Sequence, residues 1–427
     1  MKLLASARAS GLPRWRVEGG PIVLAALAGV ALGMVLGVAV IARGTSKPDR
    51  GSRIQRLPIP DSAAVGGAVA PAPPVLAERR VRNLVLLMGD GMGLAQIAAG
   101  RILSRGVAGR LHLEGFPTIG LVTNHPAGAV VTESDAAATA LATGVRVSIG
   151  HVSMDAAGRS LPTLLEFLRD SGWATGLATT TRISDATPAA FAAHVRARPE
   201  EAKIAEQLSR ARVDLLIGGG RQYFLPRSSP SGRRTDARDL VAEMRQRGVE
   251  VVADAAGLDG ATRLPLAALF AVEPQAARPR SPTSAAMAKK ALELLSGSGR
   301  PFFLLLEEEE IDTAAHANDG ARMSEAMSRF DDAVAAAAAF AARDGETLVL
   351  VIGDHATGGL ALDSRSQAGE LTLAWGSRDH TGEPVPVFAY GPPAAAGRFG
   401  GMHDNTEIPS LLAAALGLEF PRPVVTK

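Results

Sequence analysis

The chain has 427 residues, 45 Lys/Arg against 43 Asp/Glu, 47% hydrophobic content and no cysteine. Without thiols it can form neither a disulfide nor a thiolate metal site, so any cation must be held by His, Asp, Glu or hydroxyl groups. Residues 1–80 hold 11 Lys/Arg and only 4 Asp/Glu, which leaves the remainder net acidic. The basic balance is therefore no sign of nucleic-acid binding by the folded part, and no nucleic-acid-binding motif is found.

Residues 1–21 form a basic N-terminal segment. Ile22 to Ala42 follows with 21 residues and no charge, long enough to cross a bilayer at about 1.5 Å per residue. It predicts a transmembrane helix or signal sequence. An uncleaved anchor is favoured, because the apolar region of a cleavable signal is usually about 7–15 residues long. Ala25, Gly29, Gly33 and Gly37 place small residues on one face of that helix, either for a helix–helix approach or by composition alone. The expectation is a catalytic domain outside the cytoplasm, held at the membrane through residues 22–42, or periplasmic or secreted if the segment is cleaved. Residues 43–79 are rich in Pro, Ala and Gly and read as a linker, followed by a catalytic domain over residues 80–427.

From there strands and helices alternate. A strand over 83–88 meets Gly89-Asp90-Gly91-Met92-Gly93 and then a helix to about Leu103. A helix starts near Ser134, and another covers Leu161–Leu168. A strand over Ala174–Thr180 precedes a helix beginning at Pro188, a favoured first-turn residue. A strand near Asp214–Ile217 runs into Gly218-Gly219-Gly220. Beyond lie a helix near 283–296, a strand over 302–306, an Ala-rich helix over 320–342, strands over 347–352 and 385–390, and a closing helix near 407–416. Residues 225–280 read as surface excursions. The alternation predicts an α/β fold, a doubly wound central sheet with helices on both faces.

Three apolar runs end on acids: Asp90, Glu307, and Asp354 followed by His355. Runs of this kind read as buried parallel strands, and such sheets bind ligands at the carboxyl ends of their strands. Three acids and a histidine on one sheet edge point to a cation site. In Glu307-Glu308-Glu309-Glu310-Ile311-Asp312-Thr313-Ala314-Ala315-His316, Asp312 and His316 are four apart, so one helical turn puts both on one face. A carboxylate and an imidazole at that spacing suit Zn²⁺, although an acidic first turn that satisfies the helix dipole reads equally well. Four consecutive acids repel one another and call for a cation nearby. Ser134 heads a helix of small residues, where backbone N–H groups can meet an anion or the serine can simply cap the helix. His380 alone reads as an ordinary loop histidine.

These motifs, in this order over residues 82–418, resemble the alkaline phosphatase family. The resemblance implies hydrolysis of phosphate monoesters through a phosphoserine on Ser134, with two Zn²⁺ and one Mg²⁺. By motif, Asp312, His316 and His380 would hold one zinc, and Asp90, Asp354 and His355 the other. Asp90, Thr187 and Glu307 would bind magnesium, with Asp185 holding magnesium-bound water, and Arg198 would grip the phosphate oxygens. Phosphodiesterase or related hydrolase activity is the alternative, and a non-catalytic phosphate-binding protein a more distant one. The chain departs from the family pattern at Glu133 and Asp135, which flank the nucleophile, and at Glu308-Glu309, where glycines are usual. Only residues 356–379 separate the Asp-His pair from His380, so the crown region is reduced. A homodimer stays compatible with the resemblance, although its interface is put in question. The remaining histidines, His112, His125, His151, His194 and His403, are expected to be structural.

Overall fold

The strands at the centre of the chain are apolar on both faces, as a sheet covered on both sides requires. A computed structural model describes residues 53–60, 70–271, 273 and 281–421. The membrane or signal reading of residues 22–42 lies outside them. Among the described residues no helix is long and apolar enough to cross a membrane.

Ten strands form the main sheet. In chain order they are β2 (Asn83–Gly89), β3 (Thr118–Thr123), β4 (Ala174–Arg182), β5 (Leu215–Gly219), β6 (Glu250–Val252), β7 (Leu266–Leu269), β8 (Phe302–Glu308), β9 (Thr347–Gly353), β14 (Val385–Tyr390) and β15 (Gly401–Asp404). Their spatial order is β15-β3-β14-β9-β2-β8-β4-β5-β7-β6. The sheet is mixed, because β14 runs antiparallel to both β3 and β9. That corrects the purely parallel sheet implied by the buried runs. Composition cannot reveal strand direction when both faces are covered. The block β9-β2-β8-β4-β5-β7-β6 is parallel throughout.

Strand alternation assigns each residue to one of two cores. Leu84, Leu86 and Met88 of β2 pack with Phe303 and Leu305 of β8 and with Leu348, Leu350 and Ile352 of β9 in the first core. Val85 and Leu87 pack with Phe302, Leu304, Leu306, Val349 and Val351 in the second. The helices Ser134–Thr143, Ala186–Ala192 and Glu201–Arg210 contribute to the first core. The helices Leu94–Arg105, Ser284–Gly297, Glu310–His316 and Gly320–Asp344 contribute to the second. Each fully buried Leu or Phe adds roughly 1.5–3 kcal/mol relative to exposure, so the two cores hold the parallel strand ends in fixed register.

Two readings of the linker and loop regions are corrected. Residues 53–58, read as part of a linker, form strand β1 (Arg53–Pro58), antiparallel to β12 (Glu370–Trp375). β12 also pairs with β11 (Leu360–Leu362). Two strands of this three-stranded sheet come from residues 356–379, and with β1 in it the folded part starts well before Arg80. The β1 sequence carries only Ile54 and Leu57 as large apolar residues, too weak a signal without its partner strand. Residues 225–280, read as excursions, contain β6, β7 and the helices Leu240–Gln246 and Ala255–Gly260. These elements are short, which is why their periodicity was hidden.

Candidate active site

Register brings the strand-end acids together. Gly89 of β2 lies opposite Gly353 of β9, so Asp90 and Asp354 follow at the same level on adjacent strands, spaced by about 4.8 Å. Glu307 of β8 lies opposite Met88 on one side and Thr179 of β4 on the other. By alternation Glu307 shares the face of Phe303 and Leu305, the face covered by the helices that begin at Ser134 and Ala186. Glu308 takes the opposite face.

The four acids of the run thus separate. Glu307 is buried and accepts a hydrogen bond from Thr179. Glu308 accepts from Thr180 at 3.2 Å. Glu309 accepts from Thr313. Glu310 is fully buried and pairs with Arg322 at 2.7 Å and with Arg329. Glu310 is neutralised by arginines on the far side of the sheet, whereas burial first, and acids of the same run after it, raise Glu308 and Glu309.

Asp354 is pinned from three directions. Gly91 N–H donates to its Oδ1 at 3.0 Å, His355 N–H donates to the same oxygen at 2.8 Å, and Asn124 Nδ2 donates to its carbonyl at 2.8 Å. Gly91 has φ +69°, and a Cβ there would stand 2.8 Å from Asp312 Oδ1, so the turn requires glycine. His355 Nε2 lies 3.2 Å from Asp354 Oδ2, 3.5 Å from Asp90 Oδ1 and 3.2 Å from Ser134 Oγ. Ser134 is the first residue of its helix and is buried.

The second cluster joins the helix Glu310–His316 to β13 (His380–Thr381). Asp312 Oδ2 is 3.1 Å from His316 Nε2, which is 3.0 Å from His380 Nε2, and His380 Nε2 is 3.7 Å from Asp312 Oδ1. Taken by itself His380 read as a loop histidine, and only the family resemblance grouped it with Asp312 and His316. The fold pairs β13 with β10 (Ala356–Thr357), register Thr357 to His380, and so brings it to the site.

The donor sets fit cations. His316 Nδ1 donates to the Arg378 carbonyl, and His380 Nδ1 donates to the Thr132 carbonyl at 3.0 Å. A carbonyl can only accept, so in the neutral rings both Nε2 atoms carry lone pairs, and these face each other. A positive charge between them removes the repulsion, and second-sphere carbonyls of this kind are what orient metal-binding imidazoles. Asp90 Oδ1 and Asp354 Oδ2 are buried without a hydrogen-bond partner. Ligand atoms of Asp90, Asp354 and His355 lie within 4.8 Å of one another, as do those of Asp312, His355 and His380.

Electrostatics agree. Burial, then Asp354 and the other nearby carboxylates, push Asp90 well above the ordinary carboxylate range. Burial raises Glu307 to about 7, against the hydrogen bond from Thr179 that lowers it. Burial, then the neighbouring His380, press His355 down to about 3, which keeps its imidazole neutral. Burial opposes ionisation of Asp312, but protonated His316, which its hydrogen bond to Asp312 raises to about 9, and the other imidazoles hold it down at about 2, so a cation ligated at Nε2 would take the place of the His316 proton. An uncompensated group of buried carboxylates is costly, and cations are the natural compensation.

Thr187 lies fully buried in the first turn of the helix Ala186–Ala192, capped by Asp185. Asp185 Oδ1 accepts from Arg198 Nη2 at 2.9 Å, and its Oδ2 accepts from Arg182 Nη2 at 2.7 Å. Glu133 is half exposed and comes within 3.5 Å of His380 Nδ1, while Asp185 takes Arg198. Asp135 turns away from the nucleophile and accepts from Gly150 N–H at 3.0 Å.

The match to a family model decides the relationship. The alkaline phosphatase model matches residues 81–373 and 361–418. The chain belongs to the alkaline phosphatase family. It is 32% identical to the alkaline phosphatase of Escherichia coli K12, over 81% of this chain and 88% of that one. It is 36% identical to the streptomycin-6-phosphate phosphatase of Streptomyces griseus, over 85% and 98%. Among solved structures, the alkaline phosphatase of the Antarctic bacterium TAB5 superposes with a TM-score of 0.71 at 27% identity, covering 80% of this chain and 99% of the other. The Thermus thermophilus alkaline phosphatase does so at 0.72 and 25%, covering 86% and 98%.

The residues that the resemblance assigned to cations all lie in motifs legible in the sequence, but several supporting residues do not. Thr357 donates to Asp312 Oδ1 and contacts His355 Nδ1 at 3.3 Å, so it links the two clusters. Gln96 is buried in the second core's helix and donates to the Thr357 carbonyl at 2.6 Å. Their only signal in sequence is proximity to the Gly-rich turns. His194 and His112 are structural, paired with Glu166 at 3.2 Å and with Asp331 at 3.0 Å.

Proposed function

We propose that this alkaline phosphatase hydrolyses phosphate monoesters in two displacements at Ser134. The observation that carries this reading is Ser134 Oγ at a helix N-terminus, 3.2 Å from His355 Nε2 and beside carboxylate oxygens left without partners. In the first step Ser134 gives up its hydroxyl proton to solvent, its Oγ bonds to phosphorus, the ester P–O bond breaks, and the leaving alkoxide takes up a proton from solvent. In the second, water attacks phosphorus, the Oγ–P bond breaks, and inorganic phosphate departs. Arg198 presents a guanidinium suited to bind phosphate oxygens in parallel, and the backbone N–H groups heading the Ser134 helix favour the anion.

Asp312, His316 and His380 would hold one Zn²⁺, Asp90, Asp354 and His355 a second, and Asp90, Thr187 and Glu307 a Mg²⁺, with Asp185 beside it. When bound, these ions supply charge neutralisation and acidify the serine hydroxyl. Thr357 supports neutral His355: with its proton on Asp312, its lone pair accepts from His355 Nδ1–H, which leaves Nε2 free toward Ser134.

Export and anchoring through residues 22–42, as a transmembrane or signal segment, complete the proposal. So does a homodimer, supported by the exposed apolar residues Leu94, Val107 and Ile119 around one groove. The test is activity of the purified full chain on a panel of monoesters and diesters, including streptomycin 6-phosphate, with zinc and magnesium measured on the same sample. Turnover of diesters above monoesters, or full activity after complete metal removal, would refute the reading. Membrane fractionation with N-terminal sequencing tests the anchor.

A further inference from the structure

We propose that Arg182 is a positioning residue for the phosphate-binding Arg198, acting through Asp185. The proposal rests on the role given to Arg198 above.

Four side chains form an alternating chain of charge. Glu201 Oε2 lies 3.1 Å from Arg182 Nε, Arg182 Nη2 is 2.7 Å from Asp185 Oδ2, and Asp185 Oδ1 is 2.9 Å from Arg198 Nη2. Each carboxylate has further support. Ser184 Oγ donates to Glu201 Oε2 at 2.9 Å, and Ala186 N–H donates to Asp185 Oδ1 at 2.9 Å. The elements are rigid where it matters: Arg182 ends β4, Asp185 caps one helix, and Glu201 lies in the first turn of another.

The geometry states what Arg182 does. A carboxylate facing a lone guanidinium tends to take it with both oxygens, fork to fork. Such a pair would neutralise Arg198 and turn two of its donors away from substrate. Arg182 occupies Asp185 Oδ2, so Asp185 holds Arg198 through Oδ1. Arg198 is thereby fixed at Nη2 with the rest of its donors available, and the added cation keeps Asp185 from cancelling its charge. Two acids and two bases leave the chain neutral, so the field Arg198 presents to an incoming phosphate is preserved. The side chains of Arg182 and Arg198 are about one-third exposed, open enough to swing unless tied. The structure assigns this holding function to residues from the end of β4 and from the helix at Glu201, and not to the acid that precedes the nucleophile, because Glu133 lies toward His380.

The experiment is a double-mutant cycle on the metal-loaded full chain. Arg182→Gln, Arg198→Ala, the pair together, Arg182→Lys and Glu201→Gln are compared. The readouts are inhibition by inorganic phosphate, KM and kcat on an aryl phosphate, and bound zinc and magnesium. Arg182→Gln is expected to weaken phosphate inhibition and raise KM by about 10-fold, with a smaller fall in kcat, as for loss of one oriented charge-assisted contact. Arg182→Lys should recover most of the loss, and Glu201→Gln should fall between. In the Arg198→Ala background, Arg182→Gln should change phosphate inhibition by less than about twofold, the signature of residues that act as one unit. An equal loss in both backgrounds would show that Arg182 acts on phosphate by itself and overturn the proposal. So would unchanged inhibition in Arg182→Gln and Glu201→Gln while Arg198→Ala weakens it, or a magnesium loss that accounts for the defect. Unchanged inhibition in Arg198→Ala would overturn the placement of Arg198 and the proposal with it.

Discussion

Ser134 Oγ lies 3.2 Å from His355 Nε2, although the two residues come from a helix N-terminus and from the end of β9. The contact puts the proposed nucleophile against an imidazole that also faces Asp90 and Asp354. Ser134→Ala is expected to lower kcat by about 10³-fold or more, on the scale seen when a nucleophile is removed. It should also abolish transfer of labelled phosphate to the protein. Labelling that survives the substitution would move the nucleophile elsewhere.

Metal removal should make stability pH-dependent in a defined direction. Burial raises Glu307 to about 7, and burial with neighbouring carboxylates raises Asp90. A carboxyl whose pKa is raised by folding binds more protons in the folded state. Stability is then highest below its unfolded pKa, near 4.3 for Glu, and falls as pH rises toward the folded value. Metal-free protein should therefore lose stability in denaturant melts between about pH 5 and 7, while the metal-loaded protein loses less. Parallel profiles for the two forms would contradict this account.

Gly91→Ala tests the turn between the two candidate cation clusters. Its Cβ would meet Asp312 Oδ1 at 2.8 Å, in a backbone conformation with φ +69°. We expect bound zinc to drop and activity to fall by about 10-fold or more, since small displacements of reacting groups are expensive. Elemental analysis decides the matter: full zinc occupancy with normal activity would show that Asp312 can give way.

The His194–Glu166 pair offers a second pH test, away from the metal clusters. Burial lowers the His194 pKa, but hydrogen bonds to Glu166 and the Ser153 carbonyl more than offset it, so the net shift is upward. Burial raises Glu166, and its bonds with His194 and Thr163 more than reverse that. The His194 contribution is present below its unfolded pKa, near 6.5, and is lost as pH rises through the higher folded value. The Glu166 contribution is present above its unfolded pKa, near 4.3, and is lost as pH falls through the lower folded one. His194→Ala should thus cost roughly 1–2 kcal/mol near pH 6 and less by pH 9. A stability gap that stays constant across this range would mean the pair contributes only packing.

The sequence by itself determined the strands that carry chemistry and the residue types at their ends. Asp90, Glu307, Asp354 and His355 close apolar runs bounded by turn residues, which read as buried strands although not with a direction. The i, i+4 spacing of Asp312 and His316 was equally local. Order and spacing of these motifs then marked the family. What lay beyond sequence was everything set by pairing between distant segments. β1 became a strand only because β12 offers an edge, and His380 reached Asp312 only because β13 pairs with β10. Alternation on β8 split the acidic run between two faces, so Glu310 met Arg322 and Arg329 instead of a cation. The partner of Arg198 was decided the same way. Its neighbours in space, Asp185 and Arg182, are fixed by β4 and the helices that follow it, whereas Glu133, next to Ser134 in sequence, lies toward His380. Local periodicity records burial, but ion pairing and metal geometry depend on which strand ends meet, and that is a property of tertiary register.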